Sequence, residues 1–234
     1  MRINKYLSSC ELGSRRKVEE YIVSGKITIN DQVMTNLAYD VKQSDIVKYN
    51  GKKISPQEKK VYIMLNKPKC YITSIKDEKD RHVVMDLLKG VKERVFPVGR
   101  LDFNTQGLLL LTNDGEYANN IIHPSKHIYK TYEITTKVML TNKELAGIRK
   151  GMVVDGVKYM PAEIYLLDSD GEHYFYEMTI TEGKNREIRN IFSSINVKVY
   201  ALKRFSIGGL ELGDLKEGKY VYLTDKQKDK VFGR

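Results

Sequence analysis

Apolar residues recur along the chain with two periods, and this pattern predicts both strands and helices. The run at residues 108–112 is too short to cross a membrane and is typical of a buried strand. Residues 61–65 have the same character, and residues 129–138 and 174–181 are rich in β-branched and aromatic side chains that favour strands. The spacing of these strands leaves few βαβ crossovers, so we predict an α+β fold with a mixed, mainly antiparallel sheet flanked by helices.

One helix is predicted near the start of the chain, at residues 15–23. Val18 and Ile22 lie four positions apart and form its apolar stripe. Ser14 is suited to cap its N-terminus, and Gly25 to end it.

Two more helices are predicted in the larger, C-terminal part. The first is short, with Asn113 as its N-terminal cap and an end near His123. This places Asp114 in a helix-entry turn, where its role is structural. The second helix is indicated by apolar residues three or four positions apart, which share one face: Ile188, Ile191, Phe192 and Ile195.

Charge divides the chain into two unequal pieces. The first sixty residues hold 12 Lys/Arg against 7 Asp/Glu, and the rest hold 28 against 23, so the basic charge is densest at the N-terminus. Residues 55–60 contain no apolar side chain and include a helix-breaking proline, as is typical of a linker. We therefore predict an N-terminal domain at 1–54, a linker at 55–60 and a larger domain at 61–234.

The overall composition favours a folded protein with a polyanionic partner. Hydrophobic residues make up 41% of the 234 positions, and the formal charge is +10. No long apolar segment or basic amphipathic helix supports a membrane partner, and the first residues lack the apolar stretch of a signal peptide. Cys10 and Cys70 alone provide neither a disulfide framework nor a zinc site. We expect a cytoplasmic protein.

Residues 99–115 place a carboxylate on the loop that leads into the apolar strand. Asp102 stands there with Arg100 two positions before it, and a neighbouring positive charge favours the ionised carboxylate. A rigid element beside the loop could aim Asp102 into a cleft. The alternative is an ordinary surface Arg–Asp pair in a tight turn.

Two later segments carry further candidate chemistry. Tyr132, in an alternating strand, is by default a cross-strand packing residue. In the helix near 188–195, Arg189 falls at the edge of the apolar face and Arg186 further toward solvent. An arginine at that boundary can pair with a carboxylate across a cleft, but binding of phosphate or simple solvation is the alternative.

Together, these motifs closely resemble those of the pseudouridine synthases, in the branch that modifies ribosomal RNA (the RsuA/RluB/RluF group). The resemblance covers residues 61–225 and implies that Asp102 is the essential catalytic residue. It also implies that Tyr132 packs on the target base and that Arg189 pairs with Asp102. The substrate-binding residues that we expect alongside them are Arg100, Lys130, Lys184, Arg186 and Leu202, with Leu202 forming a wall of the base pocket. The chain departs from the family where Arg-Arg-Met is more usual, since residues 190–192 read Asn-Ile-Phe.

The N-terminal piece resembles a second known module, the S4-type RNA-binding domain. The resemblance rests on the order of Gly-Ser-Arg-Arg at 13–16, a helix, the segment 25–30 and the segment 45–48. Such a module contacts folded RNA through phosphates and shape. The expected contact residues are Arg15, Arg16, Lys17 and Lys26.

The family reaction is an isomerisation of uridine, in which no redox change occurs and no atom is lost. No cofactor or metal is therefore expected, and the expected partner is ribosomal RNA or a ribosomal subunit assembly intermediate. The form of the third motif favours 23S over 16S RNA, and nothing demands more than a monomer. Whether Asp102 attacks the sugar or removes a sugar proton stays open, as does the acceptor of the final proton.

Two other functions are the alternatives to this one. A non-catalytic RNA-binding or ribosome-assembly factor would need only the basic N-terminal module. A metal-dependent nuclease using Asp102 and Asp114 lacks the other ligands that a two-metal site requires.

Overall fold

The computed structural model describes residues 1–233 and contains two compact units, Met1–Lys60 and the chain from Val61 onward. The first unit has two helices and a four-stranded antiparallel sheet of order β2-β1-β3-β4. Its elements are α1 (Ile3–Ser9), α2 (Arg15–Val23), β1 (Ile27–Ile29), β2 (Gln32–Val33), β3 (Val47–Tyr49) and β4 (Lys52–Lys53).

Helix α2 is built as its sequence predicts. The Ser14 hydroxyl accepts a hydrogen bond from the Lys17 N–H at 3.2 Å, which satisfies one of the free donors at the helix start. Val18 and Ile22 are buried. Gly25 follows the helix end with φ at +70°, a conformation that glycine adopts without strain.

Helix α1 was not predicted from the sequence. Ile3 and Leu7 lie four positions apart and pack in the same core as Val18 and Ile22 of α2. The helix has only seven residues, and no side chain caps its N-terminus at Arg2. Packing against α2, rather than a local start signal, therefore stabilises it.

The second unit is an α+β domain around one large sheet, as expected. Its strands are β5 (Tyr62–Lys67), β6 (Phe96–Val98), β7 (Gln106–Thr112), β8 (Lys130–Thr136), β9 (Met152–Val154), β10 (Val157–Tyr159), β11 (Glu163–Ser169), β12 (Tyr174–Ile180), β13 (Ala201–Ile207), β14 (Leu210–Glu211) and β15 (Tyr220–Tyr222). Its helices are α3 (Gly115–Ile122), α4 (Asn142–Lys150), α5 (Glu187–Ser194) and α6 (Asp225–Lys230), with 3₁₀ turns at Val84–Leu87 and Pro124–Lys126. Within residues 1–233, no helix combines the length and the apolar character needed to cross a bilayer.

The large sheet has nine strands and is mainly antiparallel. Its order is β11-β12-β8-β13-β7-β5-β15, with β14 paired to β13 and β6 paired to β7, while β9 and β10 form a separate hairpin. Only the pairing of β13 with β7 is parallel among the strand pairs described. This agrees with the mixed, mainly antiparallel sheet predicted from the spacing of the strands.

Strand β7 is buried on both faces, and this explains its unbroken apolar sequence. Leu109 and Leu111 belong to the core that includes α4 and α5, whereas Leu108 and Leu110 belong to the core beside α3. A strand covered on both sides loses the alternation seen in half-exposed strands.

Two boundaries differ from the predictions. The prediction that Asn113 caps α3 is wrong, because its side chain accepts a hydrogen bond at 2.9 Å from the N–H of Val61, the residue before the neighbouring strand β5. Asp114 is the cap instead, accepting from the Glu116 and Tyr117 N–H groups, so its predicted structural role is confirmed. Strand β5 also continues through Lys67 instead of stopping before it.

Gly107 allows the parallel strands β7 and β13 to approach each other. It lies opposite Arg204 in the register and has φ at +104°. A Cβ atom at this position would overlap the backbone of Arg204. The residue must therefore be glycine if the two strands are to keep their pairing.

We expect Gly107→Ala to lower the free energy of unfolding by about 3 kcal/mol, the upper end of what overpacking usually costs. Urea unfolding followed by circular dichroism measures this change. Gly147→Ala is the matched control, because Gly147 lies in α4 with nothing within 4 Å of its added Cβ. That variant should be stabilised by about 0.5–1 kcal/mol. Equal stability of the two variants would contradict this account of the strand pairing.

Candidate active site

The loop between β6 and β7 presents Asp102 to a cleft. Leu101 anchors this loop in the core, where its carbonyl accepts a hydrogen bond from the Thr73 hydroxyl at 2.7 Å. The Thr105 N–H donates to the Asp102 carbonyl at 3.0 Å and closes a turn. The Asp102 side chain is 31% exposed, so the carboxylate stays accessible while its backbone is fixed.

A buried lysine lies under this loop. The Lys67 ammonium donates to the carbonyl oxygens of Pro68, Asp102 and Thr105 at 2.9, 3.1 and 2.9 Å. Burial lowers the pKa of Lys67 to about 8. Its three N–H bonds match three acceptors, two of which belong to the loop carrying Asp102. Sequence reasoning missed this role, since the predicted strand covers only residues 61–65.

The cleft beside the loop has a volume of about 280 Å³. This is near the lower end of the range for small-molecule sites. Every site residue predicted for the second unit lines it: Arg100, Asp102, Lys130, Tyr132, Lys184, Arg186, Arg189 and Leu202. The fold thus brings together side chains from the loop before β7, from β8, from β13 and from the start of α5.

Two arginines form ion pairs with the Asp102 carboxylate. Arg186 Nη1 lies 3.7 Å from Asp102 Oδ2, and Arg189 Nε lies 3.9 Å from the same atom. Both separations exceed hydrogen-bond distance. The Arg189 side chain is 14% exposed and that of Arg186 is 53% exposed, so the first belongs to the cleft wall and the second to its rim.

The arginines are held by different means. Arg189 donates to the carbonyls of Asn104 and Val199 at 3.1 and 3.2 Å, and its burial lowers its pKa. Arg186 stands at the N-terminus of α5 with φ at +51°. The sequence predicted pairing with Arg189 and left Arg186 undecided; the structure brings both to Asp102. Arg100, expected beside Asp102, lines the cleft, but the two ion pairs come from the α5 arginines.

Tyr132 and Arg204 face each other across neighbouring strands. Tyr132 on β8 is paired in register with Arg204 on β13, and both are buried. The Arg204 guanidinium donates to the Tyr132 hydroxyl at 3.4 Å and to the Leu108 carbonyl at 2.8 Å. Its Cζ lies 5.9 Å from the Tyr132 ring centroid, within range of a cation–π contact. Sequence reasoning gave Arg204 no role.

Lys130 and Lys184 take different positions at the cleft. Lys130 Nζ donates to the Ile128 and Glu182 carbonyls, both at 3.1 Å, and burial lowers its pKa to about 8. Lys184 Nζ instead donates to the Lys158 carbonyl and to the Glu182 carboxylate. The Lys184 ammonium, which was predicted to bind substrate, is therefore already engaged with other groups of the protein.

Glu187 is a buried carboxylate that sequence reasoning did not single out. It lies in the first turn of α5 and accepts a hydrogen bond from the Lys184 N–H at 2.8 Å. Burial raises its pKa. A glutamate that follows one arginine and precedes another by two positions gives no sign of such burial in the sequence, because only the packed fold creates it.

Three buried polar side-chain atoms among the described residues have no hydrogen-bond partner, and all three belong to residues that line the cleft. They are Thr105 Oγ1, Arg189 Nε and Arg204 Nη2. Buried polar groups are normally paired, and each exception requires an explanation.

The predicted RNA contacts of the first unit lie together on its surface. Arg15, Arg16 and Lys17 are exposed in the first turn of α2, and Lys26 is exposed just after it. The ammonium groups of Lys17 and Lys26 lie 5.5 and 5.6 Å from the Tyr21 ring centroid. This surface combines cations with an aromatic ring.

The carboxylates proposed for a nuclease do not form a pair in the structure. Asp114 caps α3 and accepts a hydrogen bond from the Tyr62 hydroxyl at 3.0 Å, while the ion pairs of Asp102 are with arginines. Within residues 1–233, no three His, Cys, Asp or Glu side chains are grouped so that they could hold a metal ion.

Residues 61–194, which contain most of this cleft, match the sequence profile of RNA pseudouridylate synthases. The chain belongs to the RNA pseudouridylate synthase family. Pseudouridine synthases are isomerases. Residues 1–47 separately match the S4 domain, as the resemblance of the N-terminal piece implied.

Relatives of similar length share this assignment. An RNA pseudouridine synthase of Aquifex aeolicus is 38% identical over 234 residues, covering 99% of this chain and 94% of the relative. The ribosomal large subunit pseudouridine synthase B of Bacillus subtilis is 39% identical over 223 residues, covering 92% and 91%. A crystal structure of a pseudouridylate synthase superposes with a TM-score of 0.72 at 26% identity, covering 99% of both chains.

We expect Lys67→Met to destabilise the synthase and to slow it. Loss of the ammonium removes a donor from three carbonyls, of which that of Thr105 is buried, and this should lower the free energy of unfolding by about 2–4 kcal/mol. Displacement of the Asp102 loop should reduce pseudouridine formation by about 10²-fold. Lys69→Met, which removes an exposed lysine two positions along, should change neither quantity. A fully active, stable Lys67→Met protein would show that the ammonium does not hold the loop.

Proposed function

We propose that the protein converts a specific uridine of ribosomal RNA to pseudouridine, with Asp102 as its catalytic carboxylate. The observation that carries this proposal is the position of Asp102 in the cleft, with ion pairs to Arg186 and Arg189 and with Tyr132 and Leu202 on the same walls. The reaction requires a carboxylate next to the ribose, and Asp102 is the carboxylate whose two ion pairs lie at this cleft.

The chemistry needs no atoms beyond those of the substrate. The bond between C1′ of the ribose and N1 of the uracil breaks, the base rotates, and C5 bonds to C1′. A proton then leaves C5, and N1 gains one. Asp102 serves either by attacking C1′ or by removing the proton from C2′; both routes place the same carboxylate against the sugar.

Tyr132 and Leu202 supply the surface against which the target base would rest. A base removed from its stack needs an aromatic or apolar face in exchange. Both side chains are buried in the cleft wall, on the neighbouring strands β8 and β13. Their position favours one flat ring inserted beside Asp102.

The charges around the cleft fit a polyanionic substrate. Six cationic side chains line it against three carboxylates. Arg100 and Arg186 are the ones we assign to phosphates at the rim. In the first unit, Arg15, Arg16, Lys17 and Lys26 would bind RNA through its phosphates, which are the main source of affinity in such complexes.

The large-subunit RNA is the target that we favour. The Bacillus subtilis relative is named for the large ribosomal subunit, and it matches this chain over nearly its whole length. The N-terminal S4 domain supplies a second contact to folded RNA.

We expect Asp102→Asn to abolish pseudouridine formation and to leave RNA affinity nearly unchanged. The substitution removes the charge and keeps the size of the side chain. Nucleoside analysis of RNA incubated with purified protein measures the first quantity, and a filter-binding titration measures the second. Asp114→Asn is the control, since that carboxylate caps α3 and should affect stability alone. Undiminished turnover by Asp102→Asn would refute the proposed role, and no product from the unmodified protein would favour a non-catalytic RNA-binding factor.

The target RNA is identified by mapping pseudouridine in ribosomal RNA from cells with and without the gene. We expect one or a few sites to disappear from the 23S RNA and to return when the gene is restored. Restoration with the Asp102→Asn gene should leave the sites unmodified. Loss confined to 16S RNA would overturn the assignment to the large subunit but not the reaction.

A further inference from the structure

The wall of the cleft contains a buried cation without a carboxylate partner. The Arg204 side chain belongs to a residue that is 3% exposed, and its described hydrogen bonds go to the Leu108 carbonyl and the Tyr132 hydroxyl, both neutral groups. Its Nη2 has no hydrogen-bond partner in the part of the chain described. Burying an unpaired charge is unfavourable, so the fold retains Arg204 at a cost in stability.

A second cation lines the same cleft. Lys130 Nζ donates to two backbone carbonyls, those of Ile128 and Glu182, and so has one N–H left for another acceptor. The positive charges of Lys130 and Arg204 repel each other, and the negative charge of the Glu187 carboxylate partly offsets this repulsion. Two cations against one buried carboxylate leave an excess of positive charge on this wall.

We propose that Arg204 and Lys130 stabilise the negative charge that the uracil carries once its bond to the ribose has broken. This inference rests on the proposed function and assigns a catalytic role to two further residues. The stabilised group is an oxyanion of the pyrimidine ring, spread over its nitrogen and carbonyl oxygen atoms.

The charge on the base follows from the electron balance. When the C1′–N1 bond breaks, its electron pair goes to N1 and the base becomes an anion. The compensating change occurs at the carboxylate, which either gives an electron pair to C1′ or accepts the C2′ proton. In both routes one negative charge moves from Asp102 to the uracil. Fixed cations at the new location of that charge lower the barrier because they need no rearrangement.

The position of Arg204 favours the base over a phosphate as its ligand. Arg204 packs against the Tyr132 ring, the surface proposed for the base, and is almost wholly buried. A backbone phosphate stays attached to the neighbouring nucleotides and lies near the rim, where Arg100 and Arg186 are more exposed.

The test compares two RNA substrates, one with uridine and one with 5-fluorouridine at the target position. Fluorine withdraws electrons, so the departing base needs less stabilisation by the protein. Single-turnover loss of the intact nucleoside is measured, because fluorine at C5 blocks the last proton loss. We expect Lys130→Met and Arg204→Met each to slow reaction of uridine by about 10²-fold. The defect should be at least several-fold smaller with 5-fluorouridine.

Comparing both substrates with the same protein preparation removes any effect of incomplete folding, since a smaller active fraction slows both reactions equally. Lys203→Met is the matched control: this lysine is next to Arg204 but pairs with Glu133 on the other face of β13. The ratio of its rates on the uridine and 5-fluorouridine substrates should equal that of the unmodified protein. Equal defects on the two substrates would overturn the proposal. If the variants bind RNA more weakly but keep the same ratio of rates on the two substrates, the two cations bind phosphate instead of stabilising the base.

A pH profile provides a second readout for Lys130. Because the pKa of this lysine is lowered to about 8 by burial, with Arg204 on β13 and Glu187 on α5 facing it, the ammonium is present below that pH and lost above it. The single-turnover rate should fall as pH rises through about 8. Lys130→Arg keeps its charge and should lessen that fall, leaving the part that comes from Lys67, whose pKa burial also lowers to about 8. A profile that is the same in the two proteins would count against a role for the lysine charge.

Discussion

Strands β7 and β13 run in the same direction and join the two halves of the nine-stranded sheet. On one side lie β5, β6 and β15 with the loop that carries Asp102; on the other lie β8, β11 and β12 with Tyr132. The junction is made where Gly107 meets the backbone of Arg204. The carboxylate and the aromatic wall are thus adjacent because two backbones approach more closely than a side chain would permit. Every other feature of the cleft depends on this contact.

Several charged side chains are buried around the cleft, and burying a charge lowers the stability of the fold. Lys67 and Arg204 are cations placed where water does not reach them, and Glu187 is a carboxylate in similar surroundings. Lys67 is fully provided with acceptors and therefore acts as a fixed support for the loop. Arg204 is not, and Thr105 and Arg189 also have unpaired atoms. An unpaired polar group lowers stability, and three such groups belong to residues that line this one cleft.

The sequence was sufficient to predict the elements with strong local patterns. The apolar runs of β5 and β7 and the capped helix α2 contain their own signals, and the order of motifs identified the fold family. Helix α1 was missed because its seven residues are stabilised by packing on α2. The cap of α3 was misplaced by one residue because Asn113 bonds to a backbone N–H that is distant in the sequence.

Side-chain burial was harder to foresee than secondary structure. Lys67 and Glu187 look like surface residues in the sequence, and only the folded domain shows that they are buried. The second arginine at Asp102 was left open for a similar reason. Arg186 points to solvent on an ideal helix, but it stands in a left-handed conformation before the first turn of α5, where helical geometry does not apply.

The spacing between Asp102 and its two arginines has a chemical consequence. At 3.7 and 3.9 Å the guanidinium groups attract the carboxylate without donating hydrogen bonds to it. The oxygen lone pairs of the carboxylate are therefore not shared with either guanidinium group. A shorter, bidentate pair would hold the same side chain more tightly and make it a poorer nucleophile or base. Two long ion pairs suit a carboxylate that must form a bond to a carbon or a hydrogen of the ribose and later break that bond.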